Sequence, residues 1–457
     1  MDFLGVKMGV KSLPELDATF VPMAAFNKAF LEGAKKPLAI VVERNNGLMS
    51  VFDTCVHGTK DMEEADRFYT ERMVKYLLWA KGGVKVTICG DNNLADYIAL
   101  TYSKTGKRAF DNKFMARVYE REFEVQGVEY DKKPLEKENP KPLGRHLDGC
   151  RIGFDAGGSD RKVSAVIDGE PVFSEEVVWF PKTSEDPDYH YNGIVEAFKS
   201  AAKHMPRVDA IGISSAGIYI DNRAMVASLF LKVPDNLFDE KVKDIYIRAA
   251  KEIGDVPVEV ANDGDITALA GAMGLDENSV LGIAMGTSEA AGYVDKDGNI
   301  TGWLNELAFA PVDGQVGATQ DEWSGDIGCG VKYFSQDAVI KLAPAAGISL
   351  PENYSPAVKL KLVQNLMAKG DEGAKKIYSS IGCYLGHSLA YYAAIYEIKH
   401  VLLLGRVMSG QGGDIVLAKA KEVVADEYPE CKFEINLPDE KIRRVGQSVA
   451  AASLPQI

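Results

Sequence analysis

The sequence has no run of 18 apolar residues in its 457 positions, so no stretch of it reads as a transmembrane helix. Its first residues lack the basic, apolar and small-residue organisation of an export signal, and the expectation is a cytoplasmic protein. The six cysteines (Cys55, Cys89, Cys150, Cys329, Cys383, Cys431) are widely spaced, and no CxxC pair occurs. That excludes a zinc ribbon or a disulfide framework and fits a reduced compartment. A basic excess is missing too. The formal charge of −14 argues against a general nucleic-acid binder.

What is present describes an ordered globular chain, with 46% hydrophobic and 26% charged residues and enough length for two or three domains. Residues 1–150 are balanced, with 23 Lys and Arg against 22 Asp and Glu, whereas the remainder holds 29 against 44. Near the change lies DKKPLEKENPKPLG (131–144), with three prolines and no periodic apolar pattern. The expected organisation is an amino-terminal α/β unit over 1–130 and a linker over 131–147. A first half-domain over 148–262, joined by about 440–457, and a second over 263–439 complete it.

The amino-terminal unit opens with a hairpin, LAIVVER and LMSVFDTCV around Asn45-Asn46-Gly47. A helical pattern over 62–80, the strand VKVTICG and two further helical stretches follow. The segment 104–121 carries six basic residues mixed with Phe110, Phe114 and Tyr119. It reads as a solvated helix face, with an anion or nucleic-acid contact as the alternative. This unit serves either as a lid or oligomerisation unit, or as a degenerate copy of the half-domain that follows.

After the linker, RIGFDAGG ends a strand in a glycine turn, and NSVLGIAMGTSEAAGYV repeats that logic. Two such units in one chain suggest α/β half-domains facing each other across a cleft. In Asp155-Ala156-Gly157-Gly158-Ser159 the glycines let backbone N–H groups approach phosphate oxygens. Ser159 and Lys162 offer a hydroxyl and a cation, and Asp155 suits a hydrated Mg²⁺. Gly286-Thr287-Ser288 has the same chemistry. Gly405, Arg406, Ser409 and Gly410 join the strand HVLLL to a helix, where a nucleoside or phosphate meets the helix amino terminus. Each is also compatible with a plain turn. Asp263, in VANDGD, could take the proton of a substrate hydroxyl attacking phosphorus, or could simply cap a helix.

The ordered set DAGGS, IGISSAG, VANDGDITALAGAMG, GIAMGTSEAAGYV, WLNELAFAPV, GDIGCGVKYFSQDA and RRVGQSVAAASL resembles the ROK family of sugar kinases and sugar-responsive repressors, from about Arg151 onward. The resemblance implies two ribonuclease-H-like half-domains of the actin–hexokinase type around a nucleotide cleft. It implies Asp263 as base, and Asn262, Glu306 and the strand end Ser215-Ala216-Gly217 as substrate contacts. ATP and Mg²⁺ are the implied cofactors, and a sugar or polyol the implied partner.

Departures accompany it. Ser159-Asp160 stands where the family has Thr-Lys, and Arg406 and Val407 replace adenosine-site glycines. Phe309 stands for the zinc-binding His, Val331 for a sugar-binding Glu, and of the cysteine cluster only Cys329 remains. The expectation is therefore an ATP-dependent carbohydrate kinase without structural zinc. A non-catalytic sugar or nucleotide sensor on the same scaffold is the alternative. Neither nucleic acid nor membrane is an expected partner, and a homo-oligomer is allowed.

Overall fold

The computed structural model describes residues 1–438 and 446–457. The chain forms two compact units. Met1–Asn139, Ile283–Ala291 and Trp303–Leu437 make up one, and Pro140–Gly282, Gly292–Gly302 and Pro438–Ile457 the other. No described helix is long and apolar enough to cross a membrane.

In the first unit, strands β1 (Lys36–Glu43) and β2 (Met49–Val56) form the hairpin expected from the sequence. Asn46 and Gly47 turn it with φ of 62° and 67°, a region these two residues tolerate. Helix α1 (Glu63–Ala80), strand β3 (Lys85–Cys89), helix α2 (Ala109–Tyr119) and strand β4 (Glu124–Val128) follow. The sheet order is β2-β1-β3-β4. Strand β3 runs antiparallel to β1. That rules out a copy of the half-domain, in which the equivalent strand is parallel. The basic segment 104–121 is not simply a solvated face either, because Arg108 is buried.

The second unit carries β5 (Cys150–Ala156), β6 (Asp160–Ile167), β7 (Glu170–Val178), β8 (Ala210–Ser215) and β9 (Val258–Asn262), in the order β9-β8-β5-β6-β7. The strands β5, β6 and β7 are an antiparallel meander, and β8 and β9 lie parallel to β5 and β8 respectively. Helix α3 (Pro187–Ala202) starts where Asp186 caps it and Pro187 suits a first turn. Ile152, Phe154, Phe198, Ile211 and Tyr246 share the core beneath the sheet. The helix Gln447–Ala452 packs so closely on β5 and β8 that a β-carbon at Gly153 or Gly212 would overlap the carbonyl of Ser448 or Ala451. The expected return of the chain from about 440 begins in 439–445, as does the RRV of RRVGQSVAAASL, outside the described residues. From Gly446 onward the chain belongs to the unit of β5.

Strands β10 (Val280–Met285), β11 (Glu289–Val294), β12 (His400–Leu404) and β13 (Glu434–Asn436) form a sheet in the order β11-β10-β12-β13. The helical segment ahead of β12 is divided into two helices, Pro356–Ala368 and Glu372–Tyr392. Gly370 breaks it at φ 80°, and Asp371 caps the second helix by accepting from the Ala374 N–H. The architecture is α/β, as expected.

Candidate functional site

Parallel pairing brings the ends of β5, β8 and β9 to one edge of their sheet, with Asp155 opposite Ser214 and Ser215 opposite Asn262. The first residue of helix α4 (Asp263–Leu275) continues from there. Ser214 Oγ donates to Asp155 at 2.8 Å. Burial pushes the Asp155 carboxyl up to about 6; the Ser214 bond opposes this and the charge of Asp263 adds to it. Burial also raises Asp263, opposed by the Gly264 N–H and by the charge of Lys182.

Asn262, not Asp263, caps α4. Its Oδ1 accepts from the Gly264 N–H and its Nδ2 donates to the Gly217 carbonyl, both at 2.7 Å. Asp263 is thus the first helical residue, half-buried, with the cap supplied by its neighbour. Gly217, at φ 136°, leaves no room for a side chain, since a β-carbon would lie 2.5 Å from the Val226 carbonyl. Ala216 sits in the same turn. The Ser215 hydroxyl is fully buried between the phenols of Tyr246, at 2.7 Å, and Tyr219, at 2.6 Å. Two core tyrosines therefore occupy it. The start of α4 is also braced from β11: a β-carbon at Gly292 would overlap the Gly264 backbone, and the Tyr293 N–H donates to Asp265 at 3.2 Å.

The turn after Asp155 is held by Trp179, whose Nε1 donates to the Gly157 carbonyl at 2.7 Å and whose N–H donates to the Ser159 carbonyl at 3.1 Å. Lys162 acts on Asp155 by its charge but is engaged by carboxylates, 3.6 Å from Glu176 and 4.0 Å from Asp160. The cation over the turn is Lys182, on the short turn Pro181–Thr183. A β-carbon on Gly158 would lie 2.7 Å from its Cε and 3.0 Å from its Nζ. Among the described residues no carboxylate pairs with it. The sequence gives no local sign of this residue, because two intervening strands, β6 and β7, bring it back over the glycines.

The other unit places two further groups together. Arg406 donates to Thr287 Oγ1 at 2.6 Å, and Gly405, at φ 94°, packs where any side chain would overlap the Met285 carbonyl. The Gly286 N–H donates to Ser288 at 2.9 Å, and a β-carbon on Gly286 would meet nothing closer than 3.8 Å. A β-carbon therefore fits beside this glycine at ordinary contact distance. Ser409 and Gly410 lie exposed at the start of the helix Gln411–Glu427. Glu306 is half-buried. The charge of Glu306 acts on Glu289, an acid in the middle of GTSEAAG that no local pattern marks as functional. Glu289 is buried with neither oxygen hydrogen-bonded among the described residues, and burial and Glu306 hold its carboxyl well above the usual range.

The residues do not fit the zinc that the resemblance implies. Cys329 is fully buried in an apolar cluster with Ala308, Val331 and Phe309, and burial raises its thiol to about 12. Among the described residues no group of three or more His, Cys, Asp and Glu could hold a metal ion.

No curated relative matches the chain by sequence. A ROK hexokinase from Thermus thermophilus matches in structure with a TM-score of 0.52 at 18% identity, over 67% of this chain and 97% of that one. A ROK family transcriptional regulator, a homologue of the E. coli MLC protein, matches with a TM-score of 0.50 at 18% identity, over 67% of this chain and 79% of that one. At such identity these likenesses speak to the fold. The ROK family profile itself matches residues 151–442, well over half of the sequence. The chain belongs to the ROK family.

Proposed function

We propose that the protein is an ATP-dependent kinase that phosphorylates a hydroxyl of a sugar or sugar-like molecule. The observation that carries this reading is the position of Asp263. It stands at the strand edge beside Asp155 and the glycine turn, and Asn262 takes the capping duty. Asp263 would accept the proton of the substrate hydroxyl as its oxygen attacks the γ-phosphorus. The bond from that phosphorus to the β,γ-bridging oxygen breaks, and its electron pair leaves with ADP. Asp155 would hold Mg²⁺ through water, where the ion neutralises phosphate charge. Gly157, Gly158 and Ser159 would offer backbone and hydroxyl donors, with Lys182 as their cation. In the same unit as Asp263, Asn262, Ala216 and Gly217 would be substrate contacts. The other unit has its own candidate phosphate and nucleoside groups in Gly286, Thr287, Ser288, Gly405, Arg406, Ser409 and Gly410, and its own candidate sugar ligand in Glu306.

The ROK hexokinase among the structural neighbours supports a kinase, and the regulator among them supports the second reading, a sugar or nucleotide sensor. What favours the sensor in this chain is Arg406, whose guanidinium occupies the Thr287 hydroxyl. A thermal-shift screen of nucleotides crossed with sugars and polyols, followed by ADP-release assays on the hits, decides between them. A ligand at 100 times its dissociation constant adds about 2.7 kcal/mol. Stabilisation by sugar and nucleotide with no ADP release from any pair establishes the sensor.

A further inference from the structure

Residues that the amino-terminal region contributes meet the segments for which the resemblance implies zinc, and all of them lie within one unit. Lys75 of α1 bonds to Asp326 and reaches Asp111 of α2 at 3.2 Å. Arg108 bonds to Asp326 and to Glu71. These five side chains are buried, and their charges nearly balance. Buried charges of this kind are tolerated only when paired and hydrogen-bonded. Trp79 Nε1 donates to Asp111 at 3.0 Å, and its ring packs on Phe309 at a centroid distance of 4.4 Å. The carbonyls at the end of α1, which an isolated helix leaves without partners, are used as well. Trp79 and Ala80 accept from the backbone N–H groups of Glu306 and Asn305, each at 3.0 Å.

We propose that α1 is the built-in fastener of two segments, Asn305–Phe309 and Asp326–Cys329. It holds the first by its terminal carbonyls and Trp79, and the second by Lys75, doing the work for which the family resemblance implies a metal. Phe309 is then a docking residue for Trp79, and the amino-terminal region is a structural part of its unit. That Glu306 is thereby positioned for a sugar hydroxyl rests on the kinase reading; the fastening does not.

Hydrogen–deuterium exchange of the full chain tests this without any substrate, so its result is independent of whether the protein is a kinase. In the wild type the amides of Asn305 and Glu306 exchange slowly, and neither EDTA nor added zinc changes their rate. Trp79→Ala and Lys75→Met each speed exchange at least tenfold in peptides spanning 303–310 and 326–332, while peptides from β5 and β8 keep their wild-type rates. Should those variants not fold, Trp79→Leu keeps apolar volume at the site while removing both the ring from Phe309 and the Nε1 donor to Asp111. A selective acceleration at the same two segments is then expected. Faster exchange of the wild-type 303–310 peptide on chelation overturns the proposal, and so does an unchanged rate in both segments of a folded Trp79 variant.

Discussion

Ser214 donates to Asp155 across neighbouring parallel strands, and this bond works against the burial that holds the carboxyl at about 6. If the ionised form holds Mg²⁺, nucleotide affinity rises as pH passes upward through about 6. Ser214→Ala removes a donor to the charged form, so the rise moves to higher pH by about one unit. Calorimetric titration of Mg–ADP between pH 5 and 8 measures both midpoints. The stability effect has the opposite sense. The folded pKa lies above the unfolded one, so Asp155 contributes stability at low pH that is lost as pH rises through about 6. The melting temperature of the ligand-free wild type should therefore fall relative to that of Asp155→Asn over this range.

Asn262 and Asp263 separate cap from base. Asp263→Asn should lower turnover by about two to four orders of magnitude and leave the melting temperature and nucleotide affinity near wild type. Asn262→Ala should cost about 1 kcal/mol or more of stability, since it also loses the bond to Gly217. Denaturant unfolding and steady-state kinetics on both variants check this. Near-normal turnover of Asp263→Asn removes the residue from the mechanism.

Lys182 and Lys162 compete for the role of phosphate cation. Lys182 lies over Gly158 without a carboxylate partner among the described residues, whereas Lys162 is 3.6 Å from Glu176. Lys182→Met should weaken Mg–ATP binding about tenfold, equivalent to about 1.4 kcal/mol, and Lys162→Met should change it little. Titration calorimetry ranks the two, and the reverse order returns the role to Lys162.

Two glycines should respond oppositely to alanine. At Gly292 the added carbon overlaps the Gly264 backbone at the start of α4. Gly292→Ala should therefore cost about 1–3 kcal/mol and slow turnover by moving Asp263. At Gly286 the nearest atom is 3.8 Å away, so Gly286→Ala should keep wild-type stability and weaken nucleotide binding. Unfolding curves and nucleotide titration on the pair distinguish a packing glycine from a ligand-facing one.

Much of the fold was legible because the signals are local. Asn45-Asn46-Gly47 makes a hairpin, RIGFDAGG ends a buried strand in a turn, and the glycine turns mark candidate phosphate contacts whatever surrounds them. The order of those segments also carried the family. What the sequence could not supply was which buried residue meets which. Periodicity says that a side chain turns inward but not against what. Only the tertiary structure turned the Ser215 hydroxyl to Tyr246 and Tyr219, swung Lys182 over Gly158 in place of Lys162, and set Trp79 on Phe309. Arg108 shows the reason most plainly. A basic residue in a basic segment reads as solvated, and it is buried here because Glu71 and Asp326, distant in sequence, arrive to neutralise it.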